Sequence, residues 1–220
     1  MTQRTYPGHC LIGDVETTKR KAKNECIRQL TKERGADPNT KSWVVMFQGR
    51  YQPEYWIILL IKKDATLKSI DRKLRGLWLE CCDHLSRFTI CGHEFQSSPD
   101  WDGEDDGMDL EINRIFAVGL TGDHIYDFGS TTYLTFKVLD LIPYNPRGLN
   151  GIELIAQNDQ PDIRCSVCGQ KATLIWPECT TGEFFFCQEC FEERDYDEEM
   201  SLPVVNSPRS GVCGYCGDDW

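Results

Sequence analysis

The sequence predicts an α+β protein with a mostly antiparallel or mixed sheet, helices packed on one face of that sheet, and a small zinc-ribbon module. The first observation behind this prediction is a series of apolar, β-branched and aromatic runs that alternate with only two helical patterns, too few for a parallel sheet with its crossover helices. The second is the length of 220 residues with 40% hydrophobic residues, which suffices for one medium domain and a small module. The third is a set of twelve cysteines, six of which stand in C-x2-C pairs beyond residue 164.

The first predicted element is an amphipathic helix over residues 15–34. Ala22, Cys26 and Leu30 recur at four-residue spacing among basic side chains, so they form one apolar face. Gly35 follows at the position where a residue with positive φ commonly ends a helix.

The net charge of −11 is divided unevenly along the chain. Residues 1–75 carry 16 basic and 8 acidic side chains, a net of +8, so the rest of the chain carries −19. Four basic side chains at the start of the helix are candidate binding residues: Lys19, Arg20, Lys21 and Lys23. They can pair with the acidic part of the chain, which is the commoner use of a charge run, or they can meet an anionic partner such as nucleic acid.

Two strands and a second helix are predicted next. Residues 43–47 and 55–61 are apolar, β-branched and aromatic, and the second run is apolar on both faces, as expected for a central strand. Thr66 is a good N-cap, and apolar residues then recur at helical spacing to about residue 85. We expect this helix to lie on the sheet.

Three further strands complete the predicted sheet, over residues 87–95, 112–120 and 133–141. An acidic stretch over residues 97–109 is predicted to be an exposed loop, and residues 123–129 to join the last two strands. The predicted organisation is a basic helical segment over residues 1–42, an α+β domain over 43–160 and a Cys-rich module over 161–220.

The Cys-rich module carries the most specific motif of the sequence. Two C-x2-C pairs are separated by 18 residues, with short predicted strands over 173–176 and 183–186 between them. The predicted metal ligands are Cys165, Cys168, Cys187 and Cys190. Four thiolates at this spacing suit tetrahedral Zn²⁺, and they leave no coordination position open. The sequence therefore predicts one structural Zn²⁺ site, which a module of this size needs in order to fold.

A third C-x2-C pair, Cys213 and Cys216, has no fourth pair to accompany it. Cys179 can complete a three-sulfur arrangement with this pair, and an outside ligand would then fill the fourth position. We slightly favour the alternative, in which the pair caps the ribbon without a metal or closes a disulfide under oxidation.

Further cysteines and histidines lie close together in the second helix and the strand after it. They are Cys81, Cys82, His84, Cys91 and His93, which together contain the ligands for another metal. We favour a core position for Cys81 instead. It shares a predicted helix face with Leu85, and cysteine is among the most buried residue types.

A divalent-metal-dependent hydrolase binds its metal through carboxylates and imidazoles, and the sequence offers such side chains close together at Asp123, His124 and Asp127. A turn between two strands, with its polar side chains in solvent, explains the same residues and is the favoured interpretation. The sequence has no P-loop, dinucleotide-binding glycine loop, nucleophile elbow or H-E-x-x-H helix. Catalysis therefore has little support at the level of sequence.

Arg209 stands in a turn-rich segment, residues 202–212, that contains two prolines. It is one of only eight basic residues after position 75. We favour an ion pair with Glu198 or Asp218, because pairing is the commoner use of a solitary arginine, and the alternative is an anion-binding loop.

Three short motifs within residues 43–145 carry a family resemblance. They are the apolar strand at 55–61, the stretch His84-Leu85-Ser86-Arg87-Phe88 after a helix, and Tyr126-Asp127-Phe128-Gly129 before a strand. These motifs resemble the plasmid pRiA4b ORF-three-like domain, a family also described as a passenger protein of an insertion element. The resemblance implies an α+β fold and an association with mobile elements, without an established activity. Ser130 stands where the family pattern has an acid, so the resemblance stops short of a polar site built on that acid.

These features predict a zinc-binding protein that acts as a protein-interaction or scaffolding module. The acidic balance after residue 75 repels phosphate and favours a protein partner, with nucleic-acid binding through the first 75 residues and metal-dependent hydrolysis as the alternatives. The longest apolar run is too short to cross a bilayer, and residues 1–13 lack the apolar core of a secretory signal. We therefore expect a cytoplasmic protein with reduced cysteines and no membrane partner.

Overall fold

The computed structural model places most of the chain in a large sheet and a small one. The described residues are 5–98, 106–177, 184–194, 196 and 198–217. Within them, the strands of the large sheet are β1 (Pro7–Cys10), β2 (Val15–Thr18), β3 (Ser42–Gly49), β4 (Trp56–Lys62), β5 (Ser86–Ile90), β6 (His93–Gln96), β7 (Asp106–Gly107), β8 (Thr121–Tyr126), β9 (Thr132–Ile142) and β10 (Ile152–Asn158). The strands of the small sheet are β11 (Leu174–Ile175), β12 (Phe185–Phe186) and β13 (Leu202–Pro203).

The large sheet is almost wholly antiparallel. Its strand order is β2-β1-β10-β4-β3-β9-β8-β5-β6-β7, and among these pairings only β6 with β7 is parallel. The helices of the described residues are α1 (Lys19–Arg34), α2 (Leu67–Leu74), which a π-helical turn (Arg75–Leu79) continues, and α3 (Gln188–Glu192). The predicted α+β class with a mostly antiparallel sheet is confirmed. Over the described part of the chain, no helix combines the length and apolar character needed to span a membrane.

Strand β4 is the central element of the core, as its two-sided apolar pattern predicts. Residues from Trp56 to Ile61 are at most 1% exposed. Ile57, Leu59 and Ile61 face α2, whereas the alternate residues of the strand face α1. The two helices thus lie on opposite faces of the sheet. A strand that is apolar on both faces requires cover on both, so the single helix-covered face of the prediction becomes two.

The ends of the helices follow local sequence signals in part. Thr66 caps α2 as predicted, because its side chain accepts a hydrogen bond from the Ser69 N–H, and the Ser69 hydroxyl accepts one from the Thr66 N–H. Gly35, with a φ of 67°, ends α1. The second helix stops at Glu80 and does not reach residue 85, because the Glu80 carboxylate accepts a hydrogen bond from the Asp83 N–H at 2.6 Å and reverses the chain.

Several strands differ from the sequence prediction. Residues 87–95, predicted as one strand, form the antiparallel hairpin of β5 and β6, and β1, β7 and β10 were not predicted. Residues 15–18, predicted as helix, form β2, and β1 joins this hairpin to β10, so the N-terminal segment belongs to the large sheet. In the described stretch 112–120 no strand forms. Ile112 and Phe116 are buried there through a 3₁₀ turn, and β8 begins only at Thr121. A short apolar run fits a buried turn as well as a strand, which is why the pattern misled. Residues 99–105 of the predicted acidic loop lie outside the described residues.

We call the large sheet with α1 and α2 the large domain. The C-terminal segment, which we define as residues 204–217, runs from the small sheet back to this domain. The Ser207 hydroxyl donates a hydrogen bond to the Trp78 carbonyl oxygen at 2.7 Å, and the Asn206 side chain exchanges hydrogen bonds with Asn158. Tyr215 is only 3% exposed. These contacts bring the C-terminal segment against the π-helical turn after α2 and the end of β10.

Candidate metal centre

The four predicted ligands of the Cys-rich module converge on one point. This four-cysteine cluster consists of Cys165, Cys168, Cys187 and Cys190, whose Sγ atoms all lie within 4.8 Å of one another. The Sγ atoms of Cys168 and Cys187 are 3.6 Å apart. Three of the four cysteines are buried, and Cys168 is exposed. Four sulfurs so arranged can hold a metal ion.

Local backbone structure explains why the sulfurs converge. After the first pair, Gly169 adopts a φ of 74° and its N–H donates to the Cys165 carbonyl oxygen at 3.0 Å, closing a tight turn. The second pair lies at the start of α3, where Cys187 is the N-cap. Burial disfavours the Cys165 thiolate, but the backbone N–H groups of Cys168 and Cys187 point toward its sulfur and lower its pKa to about 6.

The apolar core around the cluster is small. Phe186 and Phe191 are the fully buried aromatic residues, and Trp176 stacks on Tyr196 with ring centroids 4.8 Å apart. Three of the cysteines themselves count among the buried core residues of the module. A core of this size gives little stability by itself, so the residues present fit a metal that supplies the rest.

The third C-x2-C pair does not act as a pair. Cys213 lies beside Cys81, Cys82 and His84, whereas the Cys216 thiol points to the Gly214 carbonyl oxygen at 3.3 Å. Cys213 and Cys216 thus face different surroundings, and Cys179 lies outside the described residues, so the three-sulfur alternative of Cys179, Cys213 and Cys216 stays a prediction.

The core position expected for Cys81 is found in part, since Cys81 is half-buried and packs against the main core. The helix ends at Glu80, however, so Cys81 and Leu85 share no helix face, and Leu85 is 46% exposed. Cys91 and His93, at the turn between β5 and β6, are not members of the cluster. The signal that could have found it is a C-x2-C pair left without partners, together with a C-C-x-H stretch elsewhere in the chain.

Arg209 is the anchor of the C-terminal segment. It is fully buried, and its guanidinium donates hydrogen bonds to Asp127 Oδ2 at 2.8 Å and to the Thr132 hydroxyl at 3.0 Å. It also stands over the Tyr126 ring, 4.8 Å from the centroid. An ion pair was expected, but with other partners: the carboxylate is that of Asp127, and Asp218 lies outside the described residues. Because the closest approach is to a carboxylate, an anion-binding role is not needed to explain Arg209.

The three residues of the hydrolase hypothesis do not share a site. His124 is fully buried on the α2 face, where its Nε2 lies 2.8 Å from Asp71 Oδ1. Asp123 points to the opposite face and approaches Arg50 at 3.4 Å. Asp127 follows β8 and pairs with Arg209, and this pairing, with the Gly129 and Ser130 N–H groups, holds the pKa of its carboxyl below the usual range although burial opposes it.

Among the four basic candidates at the start of α1, Lys19 and Lys23 have defined polar contacts within the protein. Lys19 Nζ donates to the Pro53 carbonyl oxygen at 2.7 Å, and burial lowers its pKa to about 8. Lys23 Nζ lies 3.2 Å from Asp140. Arg20 and Lys21 are exposed. Fewer basic side chains of α1 therefore face an outside partner than the sequence predicts.

Within the described residues, one part of the large sheet has no helix over it. Helix α1 covers one end of its face, and the remaining strands β3, β9, β8 and β5 present side chains to a groove of about 480 Å³. We name this surface the open face, and its residues are Met46, Gln48, Thr89, Thr121, Asp123, Thr135 and Lys137. The open face combines threonines with one acidic and one basic side chain.

No family model matches the chain, and no curated protein matches it. Among solved structures, the chain is similar to a protein of unknown function from Methanosarcina mazei Go1, with a TM-score of 0.47. The match covers 54% of this chain and 70% of that one, at 14% sequence identity. That neighbour assigns no activity, ligand or partner to this chain.

Proposed function

We infer that this protein binds one structural Zn²⁺ in its Cys-rich module and acts by binding a protein partner. The observation that carries the first part is the convergence of four cysteine sulfurs within 4.8 Å. Around a tetrahedral ion with Zn–S bonds of about 2.3 Å, neighbouring sulfurs stand about 3.8 Å apart. The separation of 3.6 Å between the sulfurs of Cys168 and Cys187 agrees with that arrangement.

The donor set favours zinc and a structural role. Thiolates are soft ligands that prefer Zn²⁺ to Mg²⁺ or Ca²⁺, and four of them fill the tetrahedral positions that a catalytic site would keep partly open. The ion would sit between the turn at Gly169 and the start of α3, where it joins the two halves of a module with a small apolar core. Zinc there contributes to folding and not to a reaction.

The open face supports a protein partner. Its threonines and its two opposite charges, Asp123 and Lys137, suit a partner surface that offers both donors and acceptors of hydrogen bonds. A nucleic-acid site would need a run of basic side chains, whereas Lys19 and Lys23 already have partners within the protein. Exposed glutamates of the Cys-rich module would add repulsion of phosphate.

Metal analysis tests the zinc proposal. Cys168→Ser removes a donor from an exposed position of the four-cysteine cluster and should lower the zinc content by one ion per chain. Cys91→Ser, at an exposed cysteine outside both clusters, is the matched control and should leave the content unchanged. Equal zinc in the wild type and in Cys168→Ser would contradict the proposal.

Cross-linking tests the partner. Lys137→Glu reverses a charge on the open face, and Lys63→Glu makes the same change at an exposed lysine elsewhere. We expect cross-links to a protein that are lost in Lys137→Glu and retained in Lys63→Glu. Salt-sensitive binding of nucleic acid that Lys21→Glu abolishes would favour the alternative instead.

The family resemblance leads to a related proposal. We propose that residues 43–145 belong to the pRiA4b ORF-three-like family and that the protein is associated with mobile elements. What supports this is the three sequence motifs, which fall on β4, at the start of β5 and at the end of β8. Two observations test it: a structure of a family member with the strand order β4-β3-β9-β8-β5, and genes for transposition beside the gene for this chain. A different order in that structure would exclude the assignment.

A further inference from the structure

A second group of metal-ligating side chains lies where the C-terminal segment meets the large domain. We name it the junction cluster, and its residues are Cys81, Cys82, His84 and Cys213. Their donor atoms all lie within 4.8 Å of one another, and His84 Nε2 is 3.3 Å from Cys213 Sγ. Cys82 and Cys213 are exposed, so the cluster opens to solvent.

Contacts on both sides hold the backbone that carries these donors. The Arg75 guanidinium donates to the His84 carbonyl oxygen at 2.6 Å, and the His84 N–H donates to the Tyr126 hydroxyl at 3.2 Å. Cys213 has a φ of 50° and is followed by Gly214 with a φ of 70°, which forms a tight turn. The cluster is therefore built from two restrained segments, as a metal site requires.

Arg209 places a positive charge beside the sulfurs. Its Nη2 donates to Cys81 Sγ at 3.3 Å and to Asp127 Oδ2 at 2.8 Å. Three thiolates and a neutral imidazole around Zn²⁺ carry a formal charge of −1, which the guanidinium offsets. Hydrogen bonds of this kind, from outer groups to the ligands, are typical of metal sites.

Two other uses of the cluster fit less well. In a Cys-His-Asp triad, the imidazole turns one ring nitrogen to the nucleophile and the other to the carboxylate. Here the same Nε2 of His84 faces both Cys213 Sγ and Asp127 Oδ2, at 3.3 and 3.6 Å. A disulfide would use two of the three sulfurs and leave the third sulfur and the imidazole without a role.

We propose that the junction cluster binds a second Zn²⁺ through three thiolates and one imidazole. The three thiols release their protons to solvent when the ion binds, and the four donors complete a tetrahedral set. The ion joins the loop after α2 to a residue 129 positions later in the chain. It thereby fastens the C-terminal segment to the large domain.

Zinc counting on the full-length protein tests this proposal. We expect two zinc ions per chain after reconstitution with Zn²⁺ and removal of the excess. Cys213→Ser should retain one ion, and Cys216→Ser, three residues away in the same turn but outside the cluster, should retain two. If Cys213→Ser fails to fold, Cys82→Ser removes another exposed donor and should give the same count of one.

The result is distinguishable from failure of the first zinc site. Cys168→Ser should also retain one ion, and Co²⁺ bound to that variant should show the visible spectrum of a tetrahedral site with three sulfurs and one nitrogen. One zinc ion in the wild type, lost in Cys168→Ser and retained in Cys213→Ser, would overturn the junction site while leaving the four-cysteine site intact. A disulfide among Cys81, Cys82 and Cys213 that persists when the Zn²⁺-loaded protein is kept with a thiol reductant would also overturn it.

Discussion

The large domain and the Cys-rich module solve the same problem of stability by different means. In the large domain, β4 buries every side chain from Trp56 to Ile61, and a helix packs on each face of this strand. In the module, the buried core consists of Phe186 and Phe191 together with three cysteines. The difference teaches that burial suffices where a chain forms a layer covered on both faces, whereas the shorter module has in its place the four-cysteine cluster for which we propose zinc.

The largest expected difference in stability is between two Cys→Ala variants, one at a proposed zinc ligand and one in the core of the large domain. Cys190→Ala should unfold the module, because it removes most of the ~10–16 kcal/mol that a structural zinc contributes in small domains. Cys26→Ala makes the same change at a fully buried cysteine of α1 and should cost about 1 kcal/mol, the price of a small cavity. Hydrogen exchange followed by region measures both. Protection of residues 165–194 that survives Cys190→Ala would remove the contrast between the two regions.

A smaller effect is expected at the junction of the two regions. Arg209→Met leaves the Asp127 carboxylate buried without its partner, so we expect a loss of about 3–5 kcal/mol in the free energy of unfolding. The double variant Arg209→Met with Asp127→Asn should recover part of that loss. Denaturant unfolding of the single and double variants gives the coupling energy. Strictly additive losses would show that the two side chains act independently.

The pH dependence of the large domain provides a third test. Burial opposes ionisation of Glu153, but its paired hydrogen bonds with Arg34, at 2.6 and 2.7 Å, lower the pKa of the carboxyl below its ordinary value of 4.5. Stability from this pair is fully present above that value and is lost as the pH falls through the lower, folded-state pKa. Glu153→Gln should cost about 1.5–3 kcal/mol at neutral pH and flatten the stability profile below pH 4.5. An unchanged acid limb in the variant would assign the dependence to other carboxylates.

The smallest effect is expected at the exposed basic residues of α1. Lys21→Gln should change the free energy of unfolding by no more than about 0.5 kcal/mol, as is usual for a surface substitution. Lys19→Gln, two residues away, removes the hydrogen bond to Pro53 and should cost about 1 kcal/mol. Thermal unfolding of both variants checks the difference. Equal losses would mean that Lys19 is no better anchored than its neighbour.

Local signals in the sequence predicted those parts of the fold that depend on near neighbours. Thr66 and Gly35 mark the helix ends at which they stand, and the spacing of the two cysteine pairs predicts the four-cysteine cluster. The second helix ends where Glu80 binds the Asp83 N–H and Arg75 contacts the His84 carbonyl oxygen and the Tyr126 ring. Apolar periodicity contains no sign of these polar contacts and therefore predicted too long a helix. The position of Cys213 beside Cys81, Cys82 and His84 could not be predicted either, because it also depends on contacts between distant parts of the chain. These three residues lie more than 120 positions earlier, and nothing in a linear pattern connects the two stretches.

The pairing of Arg209 with Asp127 has a consequence for the timing of folding during synthesis. The two residues are 82 positions apart, and chains fold from the N-terminus as they emerge from the ribosome. Until residue 209 has been made, the Asp127 carboxylate after β8 lacks the guanidinium that pairs with it in the folded protein. Packing at the end of β8 therefore waits for residue 209, and a chain that stops before that residue would lack the buried ion pair that joins the C-terminal segment to Asp127.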